Sequence, residues 1–323
     1  MASNSDFERC FLTGGAGFIG SHLGDRLLAE GKTVTVYDNL SSGRREWIEH
    51  NIGQPGFTFI EANLLDAPKL KEAMAGHDLV IHLGANTDIP GGNQDVRLDL
   101  ENCTIATHNV LDAMRATGIR RLLFASSSAV YGEAPVIPTP EDVGPLLPIS
   151  LYGAAKLACE TLISAYCHIF NMQAWMFRFA NVVGGRMGHG VIYDFIHKLK
   201  RNSAEMEILG DGQQEKPFFP VEDCIDGMFC AFHRSDAWCD VFNLGCSSSS
   251  KISRVAEIVV EEMGLSGVRF RYTGGRRGWV GDVPQVGLNV SKMKRLGWET
   301  RHTSDEAVRI AARRLLGVAA ATG

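Results

Sequence analysis

Gly14, Gly17 and Gly20 stand between a short apolar run, Cys10–Thr13, and a run with apolar residues at helical spacing, Ile19–Glu30. A G-x-x-G-x-x-G spacing at a strand-to-helix junction permits a tight turn and close backbone approach to a pyrophosphate. The helix that follows offers free N–H groups and the positive end of its dipole. Glycine patterns also arise in ordinary surface loops. Here the flanking strand and amphipathic helix supply the context that a dinucleotide-binding turn requires.

The pattern around this turn repeats its logic. Cys10–Thr13, Thr33–Tyr37, Phe57–Glu61, Leu79–Leu83, Leu122–Ala125 and Ala174–Arg178 read as strands. Ile19–Glu30, Pro68–Ala75, Leu98–Thr117 and Ser150–Ile169 read as helices between them. Apolar strands alternating with helices predict an α/β fold of Rossmann type, a doubly wound parallel sheet covered on both faces. After Asn181 the texture changes to loops and separated elements: helices at Val191–Lys200, Val221–His233 and Ile252–Met263, and a strand at Val241–Leu244. These features predict a dinucleotide-binding domain over 1–181 with a return segment near 221–245. A smaller α/β substrate-binding lobe is expected over 182–220 and 246–323.

Composition narrows the class. The chain has 323 residues, 45% hydrophobic and 21% charged, enough for a large core or two joined ones. A net charge of -5 with no basic block recruits neither nucleic acid nor an anionic membrane. No run approaches the ~18 apolar residues of a membrane helix, and residues 1–9 lack the apolar core of a secretory signal. The eight cysteines form no C-x-x-C pair, and several fall inside apolar helical patterns and read as buried reduced thiols, which predicts the cytoplasm. The ten histidines show no metal-ligand spacing, so no metal is expected.

Two further features carry chemistry. Asp38 follows the second strand at about the ~20-residue distance where a carboxylate accepts hydrogen bonds from an adenosine ribose and repels a 2′-phosphate. That selects NAD, although Arg44, six residues on, leaves NADP open. Tyr152 and Lys156 share one helix face at i and i+4. The ammonium is expected to lower the phenol from its unperturbed pKa of ~10, fitting Tyr152 to take a proton from a sugar hydroxyl. The Ser126–Ser128 cluster, at the end of a predicted strand, supplies a hydroxyl to hold the same oxygen. Tyr131 competes for the tyrosine role but has no lysine four residues on, and reads as structural or pocket-lining.

Together these residues resemble the extended short-chain dehydrogenase/reductase family, and within it the nucleotide-sugar 4-epimerases. The likeness runs from Thr13–His22 through Tyr37–Gly43, His82–Ala85, Ser126–Gly132, Tyr152–Lys156, Arg178–Asn181, Leu209–Gly212 and Gly281–Pro284. The resemblance implies Ser127, Tyr152 and Lys156 as the catalytic group. It implies a cofactor cleft for NAD lined by Gly14, Gly17, Phe18, Ile19, Gly20, Asp38, Asn39, Ser42, Gly43, Asn63, Leu64, Leu83 and Ala85, with Tyr152 and Lys156 also touching the cofactor. Ser128 and Asn181 are implied near the substrate, a nucleotide-diphosphate sugar with a UDP-sugar favoured.

The chain departs from the family at several of these places. Asn63 precedes Leu64 where an aspartate is usual, and Cys103 stands at the position of a helix asparagine near the cofactor. Lys216-Pro217 replaces Arg-Asp, a point charge instead of a fork for phosphate. Trp279 replaces an arginine, with Arg276 and Arg277 displaced upstream as candidate phosphate contacts. The implied reaction is C4 epimerisation through a 4-keto sugar, with the cofactor regenerated. A 4,6-dehydratase, a net dehydrogenase or reductase, and a dinucleotide-sensing regulator remain alternatives. By the same likeness a homodimer is expected through helices at 98–117 and 151–169.

Overall fold

The computed structural model describes residues 6–236 and 238–317. In chain order the elements begin β1 (Arg9–Thr13), α1 (Phe18–Ala29), β2 (Thr33–Asp38), β3 (Phe57–Glu61), α2 (Ala67–Met74), β4 (Leu79–His82) and α3 (Ile89–Gln94). A π-helical turn, Leu100–Ile105, leads into α4 (Ala106–Thr117), followed by β5 (Arg121–Ser127), α5 (Leu151–Phe170) and β6 (Gln173–Phe179). The rest comprises β7 (Asn181–Val183), α6 (Val191–Arg201), β8 (Glu205–Ile208), β9 (Glu215–Lys216), β10 (Phe218–Pro220), α7 (Val221–Arg234) and β11 (Cys239–Leu244). It closes with β12 (Ser250–Lys251), α8 (Ile252–Glu262), β13 (Arg269–Tyr272), α9 (Ser291–Arg295) and α10 (Ser304–Leu316).

The chain divides into two compact units: Met1–Val130, Ser150–Arg178 and Met228–Phe242 form the first, and Tyr131–Ile149, Phe179–Gly227 and Asn243–Gly323 the second. The first is built on a seven-stranded parallel sheet in the order β11-β6-β5-β4-β1-β2-β3, a Rossmann-type arrangement. Strand order reverses between β1 and β4, which pair in register from Cys10–Leu79 to Thr13–His82. In open α/β sheets the crevice beyond the carboxyl ends of two such strands is where ligands bind.

The inner strands are largely apolar because both faces are covered, whereas the edge strand β3 is partly exposed. Phe11, Val80, Leu122 and Phe124 pack on Val110 and Met114 of α4 and on Cys159 and Ile163 of α5, all of them buried. The four-residue spacing of Cys159, Ile163 and Cys167 keeps one stripe of α5 on that core. Ser150 caps α5 by accepting from the Gly153 N–H at 3.1 Å, so the helix begins where the sequence supplies an N-cap.

The second unit has its own core. Ile192, Phe195, Ile196 and Leu199 of α6 meet Val255, Ile258 and Val259 of α8 and Val308 and Ala311 of α10. A capping box starts α10: Thr303 accepts from the Glu306 N–H while the Glu306 carboxylate accepts from the Thr303 N–H at 2.7 Å. No helix among the described residues is long and apolar enough to cross a membrane.

Candidate active site

The glycine turn behaves as two close contacts and one open helix start. Gly14 sits at φ +69°, and a Cβ there would lie 2.7 Å from the Gly84 nitrogen of the turn after β4. A Cβ at Gly20 would lie 2.2 Å from the Gly14 carbonyl oxygen, so α1 can approach the turn only with glycine there. Gly17 takes the N-cap position of α1 in an extended conformation, with no side chain capping the first turn. The N–H groups over Phe18 and Ile19 are thereby left to an external acceptor.

Asp38 ends β2 and is 8% exposed. Its Oδ2 accepts from the Ala16 N–H at 3.0 Å and its Oδ1 from the Leu40 N–H at 2.8 Å, which ties the glycine turn to the loop after β2. Burial raises its carboxyl above the usual aspartate value, and the backbone donors at Leu40, Ala16 and Asn39 oppose that rise. Asn39 turns back to accept from the Ser41 N–H at 3.0 Å, Ser42 is exposed, and Gly43 packs against Ala16. Arg44, the residue that left NADP open, pairs with Glu46 at 3.3 Å and lies over the Trp47 ring at 5.3 Å.

Asn63 accepts from the Leu65 N–H at 2.9 Å, and the Leu64 carbonyl accepts from Asn109 of α4 at 3.0 Å. The Leu83 N–H bonds the Thr13 carbonyl at 3.2 Å, and Leu83 and Ala85 are both partly buried in the turn beyond β4.

β5 ends at Ser127 and α5 begins one residue before Tyr152. The Ser127 hydroxyl stands close enough to the Tyr152 phenol to lower its pKa, and Ser127 Oγ accepts from the Ala129 N–H at 3.2 Å. Lys156, 3% exposed, donates from Nζ to the Ala125 carbonyl at 2.7 Å and lies 5.8 Å from the centre of the Tyr152 ring. The structure therefore brings Ser127, Tyr152 and Lys156 together, with Ser128 in the turn that follows.

The phenol corrects one expectation. Tyr152 lies above the ordinary tyrosine value, because removal from water raises it more than Lys156 and the Ser127 hydroxyl lower it. For Lys156, burial alone favours the neutral amine. The neighbouring Cys103 and Tyr152 outweigh that and hold the ammonium above the usual lysine value.

Several residues that matter here carried no legible sequence signal. Glu160 of α5 accepts from Ser126 at 2.5 Å and forms a buried ion pair with Arg178 of β6 at 2.7 Å. His82 bonds Thr13 Oγ1 at 2.6 Å through Nδ1 and Thr107 Oγ1 at 3.0 Å through Nε2. A chain of buried polar groups thus links the residue before Gly14 to α4.

In the second unit, Asn181 opens β7 and its Nδ2 donates to the Pro217 carbonyl at 3.2 Å. Lys216 pairs with Asp282 at 2.8 Å and also donates to the Val283 carbonyl. Arg277 pairs with Glu133 at 3.0 Å, whereas Arg276 is exposed. Tyr131 is buried and donates to Asn243 Oδ1 at 2.7 Å, which gives it a structural role.

A Rossmann-type sheet with a glycine turn, a buried aspartate at the end of its second strand and a Ser–Tyr–Lys group is the arrangement of a dinucleotide-dependent enzyme. Residues 10–245 match the NAD dependent epimerase/dehydratase family, and the chain belongs to that family. It is 31% identical over 305 residues to a putative UDP-glucose 4-epimerase from Methanocaldococcus jannaschii, covering 92% of this chain and 95% of that protein. It superposes on a crystal structure of UDP-galactose 4-epimerase with a TM-score of 0.86 at 40% identity, covering 96% of this chain and 99% of that one. The structure of the Thermus thermophilus UDP-glucose 4-epimerase complex with NAD matches with a TM-score of 0.85 at 28% identity, covering 96% and 100%.

The cofactor is NAD, and this chain's residues fit it. The uncapped start of α1 suits a pyrophosphate, and the Asp38 carboxylate at the end of β2 suits a ribose without a 2′-phosphate.

Proposed function

We propose that this enzyme inverts C4 of a nucleotide-diphosphate sugar, a UDP-sugar in the first instance, through a transient 4-keto sugar. The observation that carries the reading is the junction of Ser127, Tyr152 and Lys156 at the carboxyl end of β5. The 4-epimerase relatives at 31% and 40% identity support the choice of reaction.

Tyr152 Oη takes the proton of the sugar 4-hydroxyl. Ser127 hydrogen-bonds the same oxygen and fixes its direction, while the Lys156 ammonium stabilises the phenolate form of Tyr152 that accepts the proton. Bound NAD supplies reversible hydride acceptance from the carbinol carbon. Return of the proton from Tyr152 Oη to the keto oxygen, with the sugar turned over, completes the inversion.

Gly14, Gly17, Gly20, Phe18 and Ile19 hold the cofactor's pyrophosphate. Asp38, Asn39, Ser42 and Gly43 hold its ribose, and Asn63, Leu64, Leu83 and Ala85 flank the rest. Ser128 and Asn181 contact the substrate, and Lys216, Arg276 and Arg277 serve its diphosphate. A 4,6-elimination needs an added acid–base pair, and the residues after Ser127 are Ser128 and Ala129. We also read the enzyme as a cytoplasmic homodimer. Leu100, Ile105, Leu151 and Ile169 are exposed apolar residues along the two helical segments expected to pair.

The test is incubation of the purified enzyme with a panel of nucleotide sugars, with products read by NMR. Inversion at one carbon without accumulation of reduced cofactor is expected. Loss of water from the product, or net oxidation of the sugar, would replace epimerisation with another reaction of the family.

A further inference from the structure

Cys103 and Cys159 are 56 positions apart in sequence, yet their Sγ atoms lie 3.6 Å apart. Cys103 is in the π-helical turn and Cys159 is on α5, three residues beyond Lys156 and on the same buried face. They are 1% and 0% exposed. Cys159 Sγ also meets Thr107 Oγ1 at 3.2 Å and the Cys103 carbonyl at 3.5 Å. Both sulfurs act electrostatically on Lys156. A second thiol pair joins Cys167 of α5 to Cys239 at the start of β11, and Cys167 lies eight residues farther along the helix.

We propose that Cys103 and Cys159 form an oxidation site, a dithiol that hydrogen peroxide converts to a disulfide, and that this cross-link arrests the neighbouring Tyr152–Lys156 pair. The Cys103 sulfur, as thiolate, attacks one peroxide oxygen. The O–O bond breaks, a sulfenic acid forms, and the departing hydroxide takes up a proton to become water. The Cys159 sulfur then displaces the sulfenic oxygen, which leaves as a second water with the remaining thiol proton. Two thiols and one peroxide thus give one disulfide and two waters; the sulfurs lose two electrons and the peroxide gains them.

Cys103 is the attacking thiol. Its hydrogen bond with Cys159 and the Lys156 ammonium hold it below the ordinary thiol range. Peroxide is neutral and close to water in size, which suits a site this enclosed. An S–S bond of about 2.05 Å requires the sulfurs to close by roughly 1.5 Å. That movement takes Cys159 from Thr107 and fastens α5 to the π-helical turn. It also removes the two ionisable thiols that help hold the Lys156 charge.

The experiment exposes the NAD-loaded enzyme to graded peroxide, traps free thiols by alkylation and maps peptides by mass. The expected product is a 103–159 cross-linked peptide lighter by two hydrogens. Turnover should fall at least tenfold in step with the link and return with dithiothreitol. Cys159→Ser keeps a hydroxyl for Thr107 and should hold its own starting activity through the same exposure. Peroxide treatment that leaves Cys103 and Cys159 unlinked would overturn the proposal. So would a link formed without loss of turnover, inactivation that follows a 167–239 link instead, or undiminished sensitivity of Cys159→Ser. The cross-link is read on the wild-type chain without any substrate, so its absence is distinguishable from failure of the epimerase reading.

Discussion

Lys156 Nζ donates to the Ala125 carbonyl at 2.7 Å, so the ammonium is fixed to the last turn of sheet before Ser127. This bond sets where the positive charge stands beneath the Tyr152 ring. Lys156→Met retains length and apolar volume but removes the charge. Turnover is expected to fall by roughly 10²- to 10³-fold, the scale of losing one electrostatic contact to a developing anion. Single-turnover kinetics on the folded variant check it, and a loss confined to KM would disprove the assignment.

Tyr152→Phe removes the proton acceptor and leaves the ring. We expect turnover to drop by about 10²- to 10⁴-fold, the usual worth of general acid–base catalysis, with bound NAD retained. Cofactor content after denaturation, measured beside kcat, separates these effects. Near wild-type turnover would move the proton transfer to another group.

Asp38→Asn keeps the shape of the ribose-side residue but removes its charge. Binding of NADP relative to NAD should rise about tenfold, since the repulsion of a 2′-phosphate is gone. Fluorescence titration with both dinucleotides reads the ratio directly. An unchanged ratio would place the discrimination elsewhere in the 38–44 loop.

His82 makes stability depend on pH. Burial first, and Lys156 second, push its imidazole down to about 3 from an ordinary 6.5. The unfolded chain then binds the extra proton below pH 6.5 while the folded chain does not. The stabilisation is present above 6.5 and is lost as pH falls toward 3, at up to about 1.4 kcal/mol per pH unit. Denaturant melts at pH 7 and pH 5 should show this slope in the wild type. His82→Asn should be less stable at neutral pH yet show a shallower slope, and an equally steep one would exclude His82 as its source.

Ile169 is 70% exposed near the end of α5. Ile169→Glu should shift the proposed dimer to monomer in light scattering coupled to size exclusion. A wild-type chain already monomeric at micromolar concentration would remove the basis for the pairing.

Much of the first unit was legible because its inner strands are buried on both faces. Runs such as Leu79–Ile81 are apolar throughout, and the helices between them keep a regular stripe. The predicted helix over Leu98–Thr117 instead begins as a π-helical turn at Leu100–Ile105, a change of hydrogen-bond register that apolar spacing does not report. Ile89–Gln94 holds two glycines and a proline, so α3 reads as loop. Glu205–Ile208 alternates acid and apolar residues over one short strand, too little to stand out from a turn.

α10 had a readable start in Thr303-x-x-Glu306, but its buried stripe is largely alanine and gives a weak apolar pattern. In the site, the glycine turn, Asp38 and the tyrosine–lysine spacing are local motifs and could be read. The thiol pair joins residues 56 positions apart, and the partners of Lys216 and Arg277 lie at Asp282 and Glu133. Such pairings depend on tertiary packing, which one sequence does not display. The rise of the Tyr152 pKa has the same origin, since desolvation follows from what encloses a group.

Glu160 stands one turn past Lys156 with its oxygens committed to Arg178 and Ser126. The lysine is thus secured directly by an uncharged carbonyl, and the Tyr152 phenolate joins Cys103 as a neighbouring counter-charge whenever the phenol is ionised. Each catalytic cycle would dissolve the phenolate–ammonium pair as Tyr152 takes the sugar proton and restore it as the proton returns, so the lysine's field is switched by a single proton.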